Sequence, residues 1–188
     1  MSVALAFLMV ALSGGAMSQT PTDSIPVFLQ RVAEYAALHR RLEGPLPPEV
    51  VTADPVALLA TRRALAEAIR EARPHAQQGD IFSPAVAQYF RLAIADALRE
   101  GHIDDMRAIA FAEIDEWDAP VVARVNADYP AGRPLSSMPN CLLAALPPLP
   151  HELQYRFAGT DLILWDVHAG VIVDFVPRAL PETTVPRP

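Results

Sequence analysis

The sequence contains no lysine and a single cysteine, Cys141, and these absences narrow the range of possible functions. The 15 basic residues are all arginine, are scattered along the chain, and face 22 acidic residues, for a net charge of −7. Nucleic-acid binding requires a concentrated basic surface, so we predict no nucleic-acid partner. One cysteine cannot form an internal disulfide, and the apolar run around it favours a buried thiol. Arginine in place of lysine is typical of a high-GC bacterial genome.

A recognisable catalytic, metal or nucleotide motif is also lacking. No serine lies in a nucleophile-elbow context, and Gly14-Gly15 belongs to the N-terminal apolar segment rather than to a phosphate-binding loop. The acidic residues between Glu113 and Asp118 lack the spacing of a calcium loop. We therefore predict no cofactor, and the sequence does not identify an activity.

The N-terminal segment has the features of a secretion signal. Its apolar run from Val3 to Leu12 has the length of a signal-peptide core and is too short to span a bilayer. Ala16-Met17-Ser18 supplies small residues at the cleavage position, although no basic residue precedes the run. These features predict a signal peptide over residues 1–18 and an exported, periplasmic protein with no transmembrane segment after cleavage.

A capping residue followed by proline marks three predicted helix starts. They are Ser24 with Pro26, Asp54-Pro55 and Ser83-Pro84. Apolar residues recur at helical spacing after each start, and Gly44, Pro74 and Gly101 end the three runs. The second helix carries Leu58, Leu59, Leu65 and Ile69 as its large apolar residues.

A fourth helix is predicted over residues 104–117. Seven prolines between positions 120 and 150 then exclude long regular elements. Within this connection we predict a short edge strand over residues 121–125 and a two-turn helix over residues 139–146.

The stretch from Leu153 to Val176 predicts three antiparallel strands. Gly159-Thr160 fits a two-residue hairpin turn, and Val167 to Gly170 fits a four-residue loop that ends in glycine. The two turns set the predicted pairs: Phe157 with Leu162, Tyr155 with Leu164, Gln154 with Trp165, Asp166 with Val171, Trp165 with Ile172, and Leu162 with Phe175.

Side-chain alternation divides the predicted sheet into two faces. The first face is apolar except for Asp166 at its end: Leu153, Tyr155, Phe157, Leu162, Leu164, Val171, Val173 and Phe175. The second face is mixed: Gln154, Arg156, Ile163, Trp165, Ile172, Asp174 and Val176. Three strands alone are marginally stable, so the first face requires a cover. The predicted fold class is α+β, with N-terminal helices packed on one face of a C-terminal three-stranded antiparallel meander.

A single α+β domain is predicted over residues 25–176, because 188 residues suffice for one core. Helices occupy residues 25–119, the proline-rich connection residues 120–150, and the meander residues 151–176. Residues 19–24 and the proline-containing tail 177–188 are predicted to be disordered.

The first functional hypothesis is an exported, non-enzymatic domain that binds a protein or a small ligand through the second sheet face. Arg156 and Asp174 both neighbour Ile163 there and can pair across it, close to Trp165. Tryptophan and arginine are enriched at interaction hot spots, and uncovered apolar residues on this face would form a patch. The predicted binding residues are therefore Arg156, Trp165 and Asp174, although a salt bridge on a half-exposed face has the same pattern.

The alternative hypothesis is a metal-dependent hydrolytic enzyme or a metal-binding protein. The predicted register places His151, at the start of the first strand, beside the turn that contains Asp166 and His168. Two imidazoles and a carboxylate suit zinc and other divalent metals. The predicted metal ligands are therefore His151, Asp166 and His168, although polar turn residues also occur for solubility alone.

The layout YRFAGTDLILWD…GVIVDF, preceded by LPPLPHEL, resembles the C-terminal region of an uncharacterised family of exported bacterial proteins. This resemblance implies no activity. The hairpin alone is also similar to one in periplasmic metal-homeostasis proteins, and neither a function nor a site follows from that likeness.

Overall fold

The computed structural model describes residues 24–46, 55–100, 121–130 and 138–180. Within these residues the helices are α1 (Ile25–Glu43), α2 (Pro55–Ala72), α3 (Pro84–Glu100) and α4 (Asn140–Ala145). The strands are β1 (Leu153–Ala158), β2 (Asp161–Asp166) and β3 (Ile172–Val176), and they form one antiparallel sheet in the order β1-β2-β3. The predicted α+β fold is confirmed. In the described ranges no helix combines the length and the apolar character that crossing a membrane requires.

The helices begin where the cap-and-proline pairs predict. Ser24 precedes α1, while Pro55 and Pro84 are the first residues of α2 and α3, where the missing proline N–H costs no helical hydrogen bond. Of the apolar residues of α2, Leu65 and Ile69 are buried in the core, whereas Leu58 and Leu59 are exposed. The predicted signal peptide and the predicted helix over residues 104–117 lie outside the described residues.

The hydrophobic core forms between the helices and the first face of the sheet. Its centre is a cluster of Phe28, Phe82 and Phe90, whose ring centroids lie 5.0–5.5 Å apart. Phe90 also contacts Tyr155 of β1, with 5.7 Å between ring centroids, and this contact joins α3 to the sheet. Leu142 of α4 is buried in the same core. The helices therefore supply the cover that three strands require.

The register between β1 and β2 is the predicted one. Tyr155 lies opposite Leu164, and Gln154 lies opposite Trp165. Gly159, in the turn between the strands, has a φ of 62°, a left-handed conformation that glycine adopts without steric cost.

The register between β2 and β3 departs from the prediction after its first pair. Trp165 lies opposite Ile172 as predicted, but Leu164 lies opposite Asp174, so Val173 is an extra residue in β3 and forms a β-bulge. Leu162 consequently pairs with Val176 rather than with Phe175. Because of the bulge, the last residues of β3 lie on the opposite faces from those predicted. Val176 packs in the core, and Phe175 packs on the second face.

The bulge also moves Asp174 away from Arg156. The Asp174 carboxylate accepts backbone N–H groups from Gly79, Ile81 and Phe82, at 2.8–2.9 Å, in the loop that connects α2 to α3. This side chain is fully buried, and burial raises its pKa although the N–H donors oppose the shift. The predicted cross-sheet pair of Arg156 and Asp174 is therefore wrong, since Asp174 anchors the loop that leads into α3.

The second sheet face is covered by the segment 121–130. Ala123 and Tyr129 of this segment pack with Ile163, Trp165 and Ile172. The predicted edge strand over residues 121–125 is absent. Edge pairing occurs a few residues later, where the Asn126 N–H donates to Ile172 O at 2.8 Å and the Ile172 N–H donates to Ala127 O at 2.9 Å.

The first residues of the predicted disordered tail are packed against the domain. Ala179 and Leu180 are buried, and the Leu180 N–H donates to the Thr160 carbonyl at 3.1 Å. The prediction is therefore wrong for residues 177–180, and residues 181–188 lie outside the described part of the chain.

We expect the substitution Asp174→Asn to lower the free energy of unfolding by about 3 kcal/mol. One of the two accepting oxygens becomes an amide NH2, which cannot accept the hydrogen bonds of the buried backbone N–H groups. Urea denaturation measures this change. Asp96→Asn is the matched control, since Asp96 forms an exposed pair with Arg99 of the same helix and its loss costs less than about 1 kcal/mol. Equal losses in the two variants would contradict the anchoring role.

Candidate metal centre

One stripe of α1 faces the turn between β2 and β3. Tyr35, His39 and Glu43 are spaced by four residues, so they lie one above the other on the helix surface. Tyr35 and His39 are fully or almost fully buried, whereas the Glu43 side chain, in the last helical turn, is 37% exposed. The stripe therefore runs from the core to the surface.

Asp166, the last residue of β2, joins this stripe to the turn. Its Oδ2 accepts hydrogen bonds from the Tyr35 hydroxyl at 2.8 Å and from His39 Nδ1 at 2.6 Å. Its Oδ1 accepts the backbone N–H groups of His168 at 3.1 Å and of Ala169 at 2.8 Å. Burial, followed by the charge of Asp166, raises the pKa of Tyr35, so the phenol is a donor at neutral pH. The buried carboxylate thus has a partner for each of its hydrogen-bonding directions.

The hydrogen bond to Asp166 fixes the orientation of the His39 ring. An ionised carboxylate has no proton to donate, so Nδ1 of His39 is the donor and the lone pair of the neutral ring lies on Nε2. Nε2 has no hydrogen-bond partner in the structure and lies 3.4 Å from Glu43 Oε2. A buried imidazole nitrogen is therefore held beside a carboxylate, where it carries a proton in the charged ring and a lone pair in the neutral one.

His168 completes the cluster from the turn. Its Nδ1 lies 2.8 Å from Glu43 Oε1, and its ring centroid lies 5.3 Å from that of His39. The His168 side chain is 29% exposed. The Glu43 carboxylate therefore lies between two imidazoles, one buried and one accessible from solvent.

The electrostatic field at His39 favours positive charge. Burial alone lowers the pKa of His39, but the hydrogen bond to Asp166 and the charges of Asp166, Glu43 and Glu152 outweigh this effect, so the pKa lies above its ordinary value. The same carboxylates attract a metal cation as they attract a proton.

The donor atoms lie close enough to one another that they could hold one metal ion. His39, Glu43 and His168 each offer one ligand atom, and these atoms lie within 4.8 Å of one another. Zinc binds imidazole nitrogen and carboxylate oxygen at about 2.0–2.2 Å, which places the donors of a tetrahedral site about 3.4 Å apart. The carboxylate of Asp166 accepts the hydrogen bond from the other ring nitrogen of His39. In many zinc sites a carboxylate in this position orients the imidazole that binds the metal.

Only one of the three sequence-predicted ligands belongs to this donor set. His168 is a member, whereas Asp166 holds His39 from behind. His151 is 77% exposed, and its Nδ1 lies 3.5 Å from Glu152 Oε2. Its ring lies 6.2 Å from that of His168, so the predicted gathering at one end of the sheet occurs, but His151 stays at its rim.

The predicted binding residues of the second face lie apart from one another. Trp165 is 9% exposed and packs beneath the guanidinium of Arg62, whose central carbon lies 6.0 Å from the ring centroid. Arg156 donates to Gln154 Oε1 at 2.6 Å, and Asp174 is buried against the loop before α3. The structure does not bring Arg156, Trp165 and Asp174 together.

Sequence reasoning missed His39 and Glu43. Their spacing, with Tyr35 one turn earlier, was a signal, because polar residues at every fourth position on an otherwise apolar stripe require buried partners. That signal predicts a polar contact without naming its partner. The partners, Asp166 and His168, lie more than 120 residues later in the chain.

Comparison of the chain with protein-family models, with curated proteins and with solved structures finds no match. The interpretation of the cluster therefore rests on its geometry and charge.

A second buried carboxylate lies next to the cluster. Glu152 is fully buried and accepts a hydrogen bond from Arg40 Nη1 at 2.6 Å. Burial raises the pKa of Glu152, but its own backbone N–H, the Arg40 hydrogen bond and the charges of His151 and Arg40 outweigh burial, so the pKa is lowered. Because the lowered pKa belongs to the folded state, Glu152 stabilises the fold above its unfolded pKa, and this contribution is lost as the pH falls through the folded pKa.

We expect Glu152→Gln to destabilise the protein by about 1.5–3 kcal/mol at pH 7, because a charge-assisted hydrogen bond is lost. The difference from the wild type should shrink as the pH falls below the ordinary carboxyl range, where both proteins carry a neutral group. Urea denaturation across this pH range measures the difference. Glu67→Gln, at an exposed position of α2, is the matched control for stability at pH 7. A difference for Glu152→Gln that is constant with pH would contradict the assignment.

Proposed function

We propose that this protein binds a divalent transition-metal ion, with zinc as the best match, through His39 Nε2, the Glu43 carboxylate and a ring nitrogen of His168. The observation that carries the proposal is the buried hydrogen bond from His39 Nδ1 to Asp166. This bond leaves Nε2 unprotonated in the neutral ring and holds it beside the other two donors.

The donor chemistry favours zinc and its neighbours over calcium or magnesium. Two of the three donors are imidazole nitrogens, and hard cations such as Ca²⁺ and Mg²⁺ prefer all-oxygen shells. Two histidines and a carboxylate form the ligand set of several zinc sites. The carboxylates of Glu43 and Asp166 supply the negative charge that a dication requires.

The position of the cluster supports an open site. The Glu43 and His168 side chains are partly exposed, so two of the three donor residues are accessible from solvent, whereas His39 is buried. In the described part of the chain the donor set has three members, which leaves a coordination position for water. Three protein ligands and a water are typical of exchangeable and hydrolytic zinc sites rather than of closed structural ones.

Ligand binding through the second sheet face has less support. Ile163, Trp165 and Ile172 are buried beneath the segment 121–130, so these three side chains are not accessible to a partner. Of the metal ligands predicted from the sequence, the proposed site contains His168, and its other ligands are His39 and Glu43.

We expect the metal-free protein to bind one equivalent of Zn²⁺ and of Co²⁺, and Glu43→Gln and His168→Gln each to weaken binding at least about tenfold. Isothermal titration calorimetry measures the affinity, and the visible absorption of Co²⁺ reports its coordination. Both substituted side chains are partly exposed, so the fold tolerates these variants. Zinc at 100 times its dissociation constant should stabilise the wild type by about 2.7 kcal/mol.

His151→Gln is the matched control and should bind zinc as the wild type does, because His151 lies outside the donor set. Equal weakening by His151→Gln and His168→Gln would favour the rim histidine as a ligand instead. Unchanged binding in both Glu43→Gln and His168→Gln would contradict the proposed site.

We expect Asp166→Asn to lower zinc affinity by about 10–100-fold, because loss of an outer-sphere carboxylate releases the orientation of the ligating ring. The folded fraction is checked by circular dichroism, and zinc affinity is then measured by competition with a chromophoric chelator. Tyr35→Phe removes the other Oδ2 partner of Asp166 and leaves the bond to His39. It should therefore change zinc affinity less than Asp166→Asn, and the reverse order would contradict the role given to Asp166.

A further inference from the structure

A cavity of about 340 Å³ lies along β1, the edge strand of the sheet, and shares no lining residue with the metal centre. Its volume falls in the range of small-molecule sites. The side chains that define it come from α4, from the proline-rich lead into the sheet and from β1: Leu143, Pro147, Leu149, Tyr155, Gln154 and Arg156.

One wall of the cavity is apolar. Leu143, 46% exposed, and Leu149 present aliphatic side chains beside the prolines. The Tyr155 hydroxyl donates to the Pro147 carbonyl at 3.0 Å, so its polar end is already satisfied and its ring contributes apolar surface. This wall suits a hydrocarbon or aromatic body.

The lining also contains Arg156, which has no carboxylate partner among the residues that the structure describes. Arg156 Nη2 donates to the neutral Gln154 side chain at 2.6 Å, and the buried Nε has no hydrogen-bond partner. Among the described residues, the ion pairs within 4.0 Å do not include Arg156. Burial lowers the pKa of this arginine, which is the expected effect of partial desolvation.

We propose that this cavity binds a small organic carboxylate, whose charged group pairs with the Arg156 guanidinium and whose apolar body lies against Leu143 and Leu149. A guanidinium presents its N–H groups in a planar fork that matches a carboxylate, and Arg156 has spare donors. A single arginine in a mostly apolar cavity favours a monocarboxylate over a phosphate, which would require further donors. The proposal does not depend on metal binding.

Octanoate is the probe, and octan-1-ol, which has the same chain without the charge, is its control. Calorimetric titration of the full chain, in chelator and again with zinc, should show saturable binding of one octanoate per protein in both conditions. Octan-1-ol should bind at least about tenfold more weakly, because a charge-assisted hydrogen bond is absent.

Two variants, Arg156→Gln and Leu143→Asp, test whether octanoate binds in this cavity, and Arg63→Gln is the control. Arg156→Gln should weaken octanoate binding at least about tenfold, whereas Arg63→Gln, on the exposed side of α2, should leave it unchanged. Leu143→Asp places a negative charge on the apolar wall at a partly exposed position and should weaken octanoate binding to a similar extent. This second variant tests the cavity even if Arg156→Gln fails to fold.

Three results would overturn the proposal. The first is an absence of octanoate binding to the wild type, which includes the case that the chain itself fills the cavity. The second is equal binding of octanoate and octan-1-ol, since the charge would then have no role. The third is equal weakening by Arg156→Gln and Arg63→Gln, which would indicate non-specific attraction of the anion to surface arginines.

Discussion

The carboxylate of Asp166 is the interaction on which the candidate site depends. It accepts two hydrogen bonds from side chains of α1 and two from the backbone of the turn after β2. An ionised carboxylate is costly to bury unless its hydrogen-bonding capacity is filled, and here it is filled from two elements that are distant in sequence. Because the helix and the turn both bond to this carboxylate, His39 and His168 are held close to each other.

Asp174 anchors a second irregular segment to the same sheet. The bulge at Val173 turns Asp174 toward the loop before α3, where three backbone N–H groups would otherwise lack partners. Each of these buried aspartates therefore replaces secondary-structure hydrogen bonds at a place where regular structure ends. One of the two also orients a histidine with a free ring nitrogen, and this difference separates a structural anchor from a candidate metal centre.

Local patterns in the sequence predicted most of the fold. Capping residues followed by proline located α1, α2 and α3, and two-residue alternation with Gly159 located the β1–β2 hairpin and its register. The β2–β3 register failed where one extra residue entered β3, because alternation assumes an unbroken ladder and a bulge satisfies contacts elsewhere. The same assumption placed Asp174 beside Arg156. Export and the signal peptide remain predictions.

By itself the sequence determined the local elements, the α+β class and the gathering of His168 and Asp166 at one end of the sheet. Capping, turn conformation and side-chain alternation act between near neighbours, so they can be read without knowledge of the fold. Only the tertiary structure decided that His39 and Glu43 meet His168, 125 positions from Glu43, and that His151 stays at the rim. The physical reason is that the buried polar side chains of α1 need hydrogen-bond partners. Which residue becomes that partner depends on how α1 packs against the sheet, and this packing places Asp166 beside Tyr35 and His39.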